Sequence, residues 1–239
     1  MTWVDELPRT GSWPAMGVRA DTRPWPAPAE PEQLRRRREV VAAHPDVVQA
    51  RPGSEAAVAE LCALVGAPDL AAAAVAQPDD LCLLAPEPGW PLVAGALLFP
   101  SHWRLAEKLG RPLAEVHDRV PGYPAAQVDR FLDRLRPGQV VARRNLLVHR
   151  DGELHAPWPA IHDAPVEAWW LRSERQTLRR LPQSGHVLFT IGTDTTPLAE
   201  LDAGVRRRLA ARLSELPAAW VEYGGVGDRL SELVSWLDA

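Results

Sequence analysis

The spacing of the hydrophobic positions changes along the chain, and this change predicts where helices give way to strands. Within residues 54–66 the apolar side chains follow the helical spacing i, i+3, i+4 and i+7, at Val58, Leu61, Cys62 and Val65. This pattern predicts an amphipathic helix, which Ser54 can cap at its start and Gly66 at its end. From Asp80 onward two short apolar runs, "LCLL" and "PLVAGALLF", flank the turn-forming sequence "PEPG". We therefore expect a β-hairpin after the helix.

The second half of the chain predicts one further helix, three strands and a helical end. The sequence "AAQVDRFLDRLRPG" places its apolar residues on one helical face and stops at Pro-Gly. "QVVARRNLLVH" predicts a strand, and two long antiparallel strands follow it, joined by a turn at "PQSG". Alternation along the first of these two strands places side chains on opposite faces, with Trp170, Arg172, Glu174, Gln176 and Leu178 on one face and Arg175 and Thr177 on the other.

This order of elements predicts an α+β fold with an antiparallel sheet, flanking helices and a helical C-terminus. A PAS domain, a small sheet that often folds over a cofactor, has the same order of elements, so we predict a PAS-like sheet by analogy. Residues 1–53 are rich in proline and arginine and predict an extended arm followed by a helix. The arginine run in that helix, residues 35–38, is typical of a solvated face. We expect residues 54–239 to form a single domain.

Composition and charge narrow the classes of function. The chain has 239 residues, 46% of them hydrophobic, and a net charge of −4, which disfavours a nucleic-acid partner. The two cysteines, Cys62 and Cys82, have no metal-ligand spacing. The N-terminus lacks the basic start and apolar core of a signal peptide, and we find no apolar run near the roughly 20 residues of a membrane span. These features predict a cytoplasmic protein that binds neither nucleic acid nor membrane.

The segment "PLAEVHDRVP" holds the strongest candidate for a metal ligand. Four of its residues follow helical spacing, at Leu113, Val116, His117 and Val120, which places His117 on the apolar face. Such a histidine is either a core residue bonded to a backbone carbonyl or an axial ligand of haem iron, which needs a neutral imidazole on an apolar wall. His155, in "ELHAPWP", is the second candidate for the ligand. His102 lies at a predicted helix start, where we expect it to be exposed.

The sequence "LRSERQTLRR" holds a second group of candidates. Arg172, Glu174 and Arg175 form either a salt-bridged surface ladder or a clamp for the two haem propionates, which guanidinium groups can hold in two-point contacts. Lys108, the only lysine among the 27 basic residues, and Arg104 can serve the same purpose. Gln176 and Thr177 add neutral hydrogen-bonding groups. No nucleotide-binding, nucleophile-elbow or zinc-protease motif is present in the sequence.

Three stretches of this chain resemble the alpha subunit of haem-dependent oxidative N-demethylase and its relatives. They are "FPSHWRLAEKLGRPLAEVHDRVPGY", "ELHAPWP" and "LRSERQTLRRLPQSGHVLFTI", and the resemblance covers about residues 78–237. It implies a PAS-like fold that binds haem b and, with oxygen, oxidises a small secondary amine such as dimethylamine to a shorter amine and formaldehyde. It also implies partner subunits that carry flavin and iron–sulfur centres. The chain departs from the family pattern at Arg119, at Asn145-Leu146 and at Tyr223-Gly224-Gly225.

The resemblance also implies roles for individual residues. His117 is the implied proximal ligand of the iron, with His155 as the alternative. Around the haem edge or the substrate pocket it implies Arg172, Arg175, Gln176 and Lys108. With these we group Arg104 and Thr177 as cofactor-binding candidates, and Glu174 and Gln176 as catalytic candidates, since a carboxylate can hold an ammonium group. Two other functions stay open at this point, a haem-binding PAS-like sensor and a haem-free interaction protein without catalysis.

Overall fold

A seven-stranded sheet forms the centre of the fold in the computed structural model, which describes residues 17–23, 25–160 and 163–239. The strands are β1 (Arg19–Ala20), β2 (Val48–Ala50), β3 (Asp80–Leu84), β4 (Leu92–Ala96), β5 (Val140–His149), β6 (Trp170–Arg180) and β7 (Val187–Pro197). Every neighbouring pair is antiparallel, in the order β1-β5-β6-β7-β3-β4-β2. The predicted hairpins of β3 with β4 and of β6 with β7 are both confirmed.

Nine α-helices accompany this sheet within the described residues. They are α1 (Pro31–Ala43), α2 (Glu55–Val65), α3 (Leu70–Ala76), α4 (Leu105–Lys108), α5 (Leu113–Val116), α6 (Ala125–Arg134), α7 (Ala203–Ser214), α8 (Ala218–Tyr223) and α9 (Leu230–Asp238). The α+β prediction is therefore confirmed, while the likeness to a PAS domain stays a prediction. Helix α2 ends at Gly66 in the left-handed conformation (φ 75°), as predicted. Ser54 occupies the N-cap position, but its hydroxyl donates to the carbonyl of Arg51 rather than accepting from the helix.

The pleat of the sheet separates two packing faces. The first face packs against α1–α3 through side chains such as Leu81, Leu83 and Leu188, and further along the sheet against α7 and α9. The second face packs against α4–α6 through Leu84 and Phe189 among others. Because side chains alternate along each strand, neighbouring residues of β3 and β7 serve different faces. The second face is the one that carries the cavity described below.

The arginine run of α1 does not behave as one solvated face. Arg35 and Arg36 form exposed ion pairs with Glu32, as expected. Arg37, however, is fully buried, and its guanidinium donates to the carbonyls of Ala74, Pro78 and Asp79 and to the Asp80 carboxylate (3.0 Å). The prediction was wrong for Arg37, because the helix turns this position toward the strand that begins at Asp80.

The stretch Glu55–Ala76 is apolar enough and long enough to cross a membrane, judged by length and composition only. We expected no such stretch from the sequence, and that expectation was wrong. In the fold the stretch is divided into α2 and α3 by a turn that begins at Gly66. Both helices contribute fully buried residues, such as Leu61 and Ala73, to the core on the first face of the sheet.

The described part of the N-terminal arm lies on the sheet. Strand β1 pairs with β5 at Val141 and Ala142, and the indole N–H of Trp25 donates to the buried Asp79 carboxylate (3.0 Å). Asp21 forms an ion pair with Arg175. Residues 1–16 of the predicted arm lie outside the described residues, and the division of the chain at residue 53 stays a prediction.

Candidate functional site

A cavity of about 1690 Å³ lies on the second face of the sheet, beneath α4 and α5, and continues past β5 to α7 and α8. Sites for small molecules commonly occupy ~300–1,000 Å³, so this cavity has room for a large cofactor and a further small ligand. Its apolar floor consists of inward-facing residues of β3, β4 and β7, namely Cys82, Leu84, Leu92, Phe189 and Ile191. Beyond Ala142 the outer edge of β5 has no partner strand among the described residues, which lets the cavity pass around this edge.

His117 lies in the wall of this cavity, directly after α5. Its Nδ1 hydrogen-bonds to the Leu113 carbonyl (2.9 Å), so Nδ1 carries the proton and donates. The ring stacks on Tyr123 with 4.3 Å between centroids and 4° between planes. Burial lowers the pKa of His117, and the charges of Lys108 and Arg143 lower it further, which favours the neutral imidazole. No described residue hydrogen-bonds to Nε2, so the lone pair of that nitrogen remains available.

Glu174 is the most heavily hydrogen-bonded carboxylate of the cavity. It is 6% exposed and accepts from the Arg172 Nε (3.0 Å), the Asn145 amide (3.3 Å) and the Gln176 amide (3.1 Å). The register of β5 against β6 explains this arrangement, because Asn145 lies directly opposite Glu174 and both side chains share the second face. Glu174 and Gln176, the two predicted catalytic residues, both line the cavity.

Arg172 lies behind Glu174 and is not part of the cavity lining. Its side chain is fully buried, and besides Glu174 it donates to the carbonyls of Phe99 and Leu154 (3.1 Å to Leu154). These contacts connect β6 to two loops and leave the guanidinium enclosed by protein. Arg172 therefore supports Glu174 from behind, and its contact with a cofactor stays a prediction.

The other predicted cofactor-binding residues divide between the two faces of the sheet. Lys108 lines the cavity, where its Nζ pairs with the Asp118 carboxylate (3.1 Å). Arg104 is not part of the cavity lining; it pairs with Glu107 (3.0 Å) near the rim. Arg175 and Thr177 lie on the first face, where Arg175 pairs with the N-terminal arm and Thr177 hydrogen-bonds to Thr190 (2.7 Å).

His155, the alternative iron ligand, is also outside the cavity lining. Its Nδ1 donates to the Leu98 carbonyl (2.7 Å), and its ring stacks on His44 with 4.5 Å between centroids. These contacts fix the loop that follows residue 150 onto the strand region around Leu98. Of the two histidines that the sequence analysis retained, the structure brings only His117 together with Glu174, Gln176 and Lys108.

Sequence reasoning missed two basic or aromatic groups of the cavity. Arg143, on β5 opposite Gln176, lines the cavity, and burial lowers the pKa of its guanidinium while Glu174 and Tyr123 raise it. Tyr123 lines the cavity beside His117, and burial raises its pKa to about 12. The alternation of β5 against β6 could have placed Arg143 on the same face as Gln176. Nothing in the sequence pairs Tyr123 with His117.

Sequence reasoning also missed a pair of stacked histidines. His102 and His149 both line the cavity, with 4.6 Å between ring centroids and 15° between planes. His149 is 5% exposed, and its Nε2 lies 3.0 Å from the Ser101 hydroxyl. His102 was expected to be exposed but is half-buried, because its ring stacks on His149 and its N–H donates to the Ala156 carbonyl (2.7 Å). The described residues contain no cluster of three or more metal-ligating side chains, whereas haem iron needs only one or two protein ligands.

Comparison with known proteins adds one positive finding. A family model described as haem-dependent oxidative N-demethylase, alpha subunit-like, matches residues 66–232. This range includes every residue that lines the cavity, from Cys82 to Val226. A search of curated proteins finds no match to this chain.

Proposed function

Because the chain belongs to the family of proteins like the alpha subunit of haem-dependent oxidative N-demethylase, we propose that it is a haem b-dependent N-demethylase subunit. Its proposed substrate is a small secondary amine such as dimethylamine, and its products are a shorter amine and formaldehyde. The observation that carries the proposal is His117, a neutral imidazole anchored through Nδ1 in the wall of a cavity large enough for haem. That is the arrangement of an axial haem ligand.

The groups that line the cavity fit a haem. The apolar floor suits the porphyrin, and Lys108 and Arg143 provide cationic groups for the propionates. Arg111 and Arg119 add two further guanidinium groups to the lining. The haem would supply the redox chemistry with dioxygen, and the protein would position the amine and tune the iron through its ligand.

His117 would bind the iron through Nε2. The hydrogen bond from Nδ1 to the Leu113 carbonyl fixes the tautomer and makes Nε2 a better electron donor. The stacked Tyr123 ring restricts rotation of the imidazole. Both contacts are made by the protein itself, and together they fix the orientation of the imidazole.

Glu174 and Gln176 would hold the amine. A carboxylate has about four lone-pair positions, and three donors occupy Glu174, which leaves room for one N–H of the substrate. The amide of Gln176 donates to Glu174, so its carbonyl oxygen is free of described donors and can accept a second N–H. The negative charge of Glu174 favours an amine over neutral molecules of similar size.

Membership of an alpha subunit-like family indicates that the chain acts together with other subunits. We propose that one of them is a reductase that carries flavin and iron–sulfur centres, since the haem needs a source of electrons. The net charge of −4 supports neither a nucleic-acid nor a membrane partner, and we propose a cytoplasmic location.

The experiment that tests this function compares Glu174→Gln with Glu167→Gln, an exposed carboxylate outside the cavity lining. The haem-loaded protein is given dimethylamine, oxygen and a chemical reductant, and formaldehyde is measured. We expect formaldehyde from the wild type and from Glu167→Gln. For Glu174→Gln the amine concentration that gives half-maximal formaldehyde production should rise about 10- to 100-fold. This factor corresponds to the loss of one hydrogen bond to a charged group. If the haem band of the wild type does not change when the amine is added, the alternative function of a haem-binding sensor is favoured. If the wild type binds no haem, a haem-free interaction protein is favoured.

A further inference from the structure

His102 has a backbone conformation that demands an explanation. Its φ of 60° lies in the left-handed region, which few residues other than glycine adopt. The conformation is imposed by neighbouring contacts, because the His102 N–H donates to the Ala156 carbonyl (2.7 Å) and the Ala156 N–H donates to the Pro100 carbonyl (3.3 Å). Strain of this kind persists where the surroundings fix it, and it concentrates at functional sites.

The imidazole of His102 is oriented and kept neutral by its surroundings. It stacks on His149, whose Nε2 lies 3.0 Å from the Ser101 hydroxyl. Burial lowers the pKa of His149 to about 3, so the supporting ring stays uncharged at neutral pH. Burial also lowers the pKa of His102, and the Arg172 charge lowers it further, against the opposing effects of Asp151 and Glu174. His102 is therefore a neutral imidazole in the cavity lining.

One guanidinium connects His102 to the proposed amine-binding carboxylate. Arg172 donates simultaneously to the Phe99 carbonyl, three residues before His102, and to Glu174. The loop that carries His102 and the carboxylate that would hold the amine are thus fixed to the same rigid side chain. Glu174 and His102 both line the cavity.

We propose that His102 is a catalytic base, which takes the proton that leaves the N-methyl carbon of the amine. This inference rests on the proposed function. The bound ammonium first releases its N–H proton to solvent, and the neutral amine then gives two electrons to dioxygen, the oxidant of that function. With two further electrons from the proposed reductase subunit and four protons, dioxygen becomes two molecules of water. The methyl C–H bond breaks, its electron pair becomes the carbon–nitrogen π bond, and its proton passes to the imidazole. Water then adds to the iminium cation, which divides into formaldehyde, the shorter amine and one further proton.

The first test replaces His102 by asparagine, which tolerates a positive φ but cannot act as the base. The matched control is His186→Asn, a histidine of the β6–β7 turn outside the cavity lining. General bases typically contribute 10²–10⁴-fold, so we expect kcat of His102→Asn to fall by about 100-fold or more. The haem spectrum and the amine dissociation constant should change little. A variant that turns over like His186→Asn, or that loses the haem band, would overturn the proposal.

A second readout does not depend on turnover. Acidification through the lowered pKa of His102 places an imidazolium beside the amine site, so the wild type should bind dimethylammonium more weakly below pH 6.5. In His102→Asn this part of the pH dependence should disappear, whereas the charges of Asp151, Glu174 and Arg172 remain. Equal pH profiles for the two proteins would contradict the assignment.

A glycine variant provides a further check if His102→Asn does not fold. Glycine adopts a positive φ without strain, and His102→Gly leaves a space for free imidazole. Added imidazole should restore turnover of His102→Gly, and no restoration would count against the base. If the wild type itself produces no formaldehyde, the proposed function is wrong, and the assignment of His102 as its catalytic base is wrong as well. If the wild type is active and the His102 variants are equally active, only the base is wrong.

Discussion

One hydrogen bond of His117 is compatible with both roles that the sequence allows for this residue, a core histidine and an iron ligand. A core histidine was expected to satisfy a backbone carbonyl, and His117 does so at Leu113. The same bond fixes the tautomer with the proton on Nδ1 and leaves the lone pair on Nε2. The sequence spacing predicted an inward-facing imidazole, but it could not predict the Tyr123 stack, which depends on the turn between residues 117 and 123.

Arg37 and Asp80 form the most deeply buried ion pair among the described residues, with both side chains 0% exposed. Replacement of Arg37 by methionine leaves the Asp80 carboxylate buried without its cation, which costs about 3–5 kcal/mol of unfolding free energy. The control is Arg36→Met, whose exposed pair with Glu32 is worth only ~0–1 kcal/mol. Urea unfolding of both variants measures the difference. Equal losses of stability would show that burial of this pair is not what stabilises α1 against β3.

At the scale of elements, β6 and β7 carry both the core and the site because their residues alternate between two faces. The sequence predicted this alternation correctly, and with it the separation of Glu174 and Gln176 from Arg175 and Thr177. It did not predict that the first face would hold the N-terminal arm, because that contact is set by tertiary packing and not by local pattern. Arg175 was therefore grouped with the cofactor-binding residues, although it pairs with Asp21.

Gly192 on β7 is required by the close approach of Asp79. A Cβ at this position would lie 2.6 Å from the Asp79 Oδ1, and that carboxylate is fixed by the Trp25 indole. We expect Gly192→Ala to cost about 1–3 kcal/mol of unfolding free energy through overpacking. Gly227→Ala is the control, since its Cβ would come no closer than 3.4 Å to any neighbour, the Val221 side chain. Thermal unfolding measures the stability of the two variants. If Gly192→Ala unfolds at the same temperature as the wild type, Asp79 can move away from the added methyl group, and the prediction is contradicted.

At the scale of the molecule, the cavity is assembled from segments far apart in the chain. The loop before α4, the turn after α5, the strands β5 and β6, and the helices α7 and α8 all contribute to its lining. Local patterns predicted most of the strands and helices, and they placed Glu174 on the cavity side. They missed Arg143, although the alternation of β5 against β6 places it on the face of Gln176. They also missed the stacked pair of His102 and His149, which no local pattern encodes. This is why the fold was easier to predict than the site.

The central claim is that His117 binds the haem iron, and the visible spectrum of the haem-reconstituted protein tests it most directly. The comparison is between the wild type, His117→Ala and His155→Ala, since His155 is a half-buried histidine that also donates Nδ1 to a carbonyl but lies outside the cavity lining. The account predicts an intense Soret band in the wild type and in His155→Ala, and its loss or displacement in His117→Ala. A wild-type spectrum that survives in His117→Ala, or a band that is lost in His155→Ala instead, would contradict it.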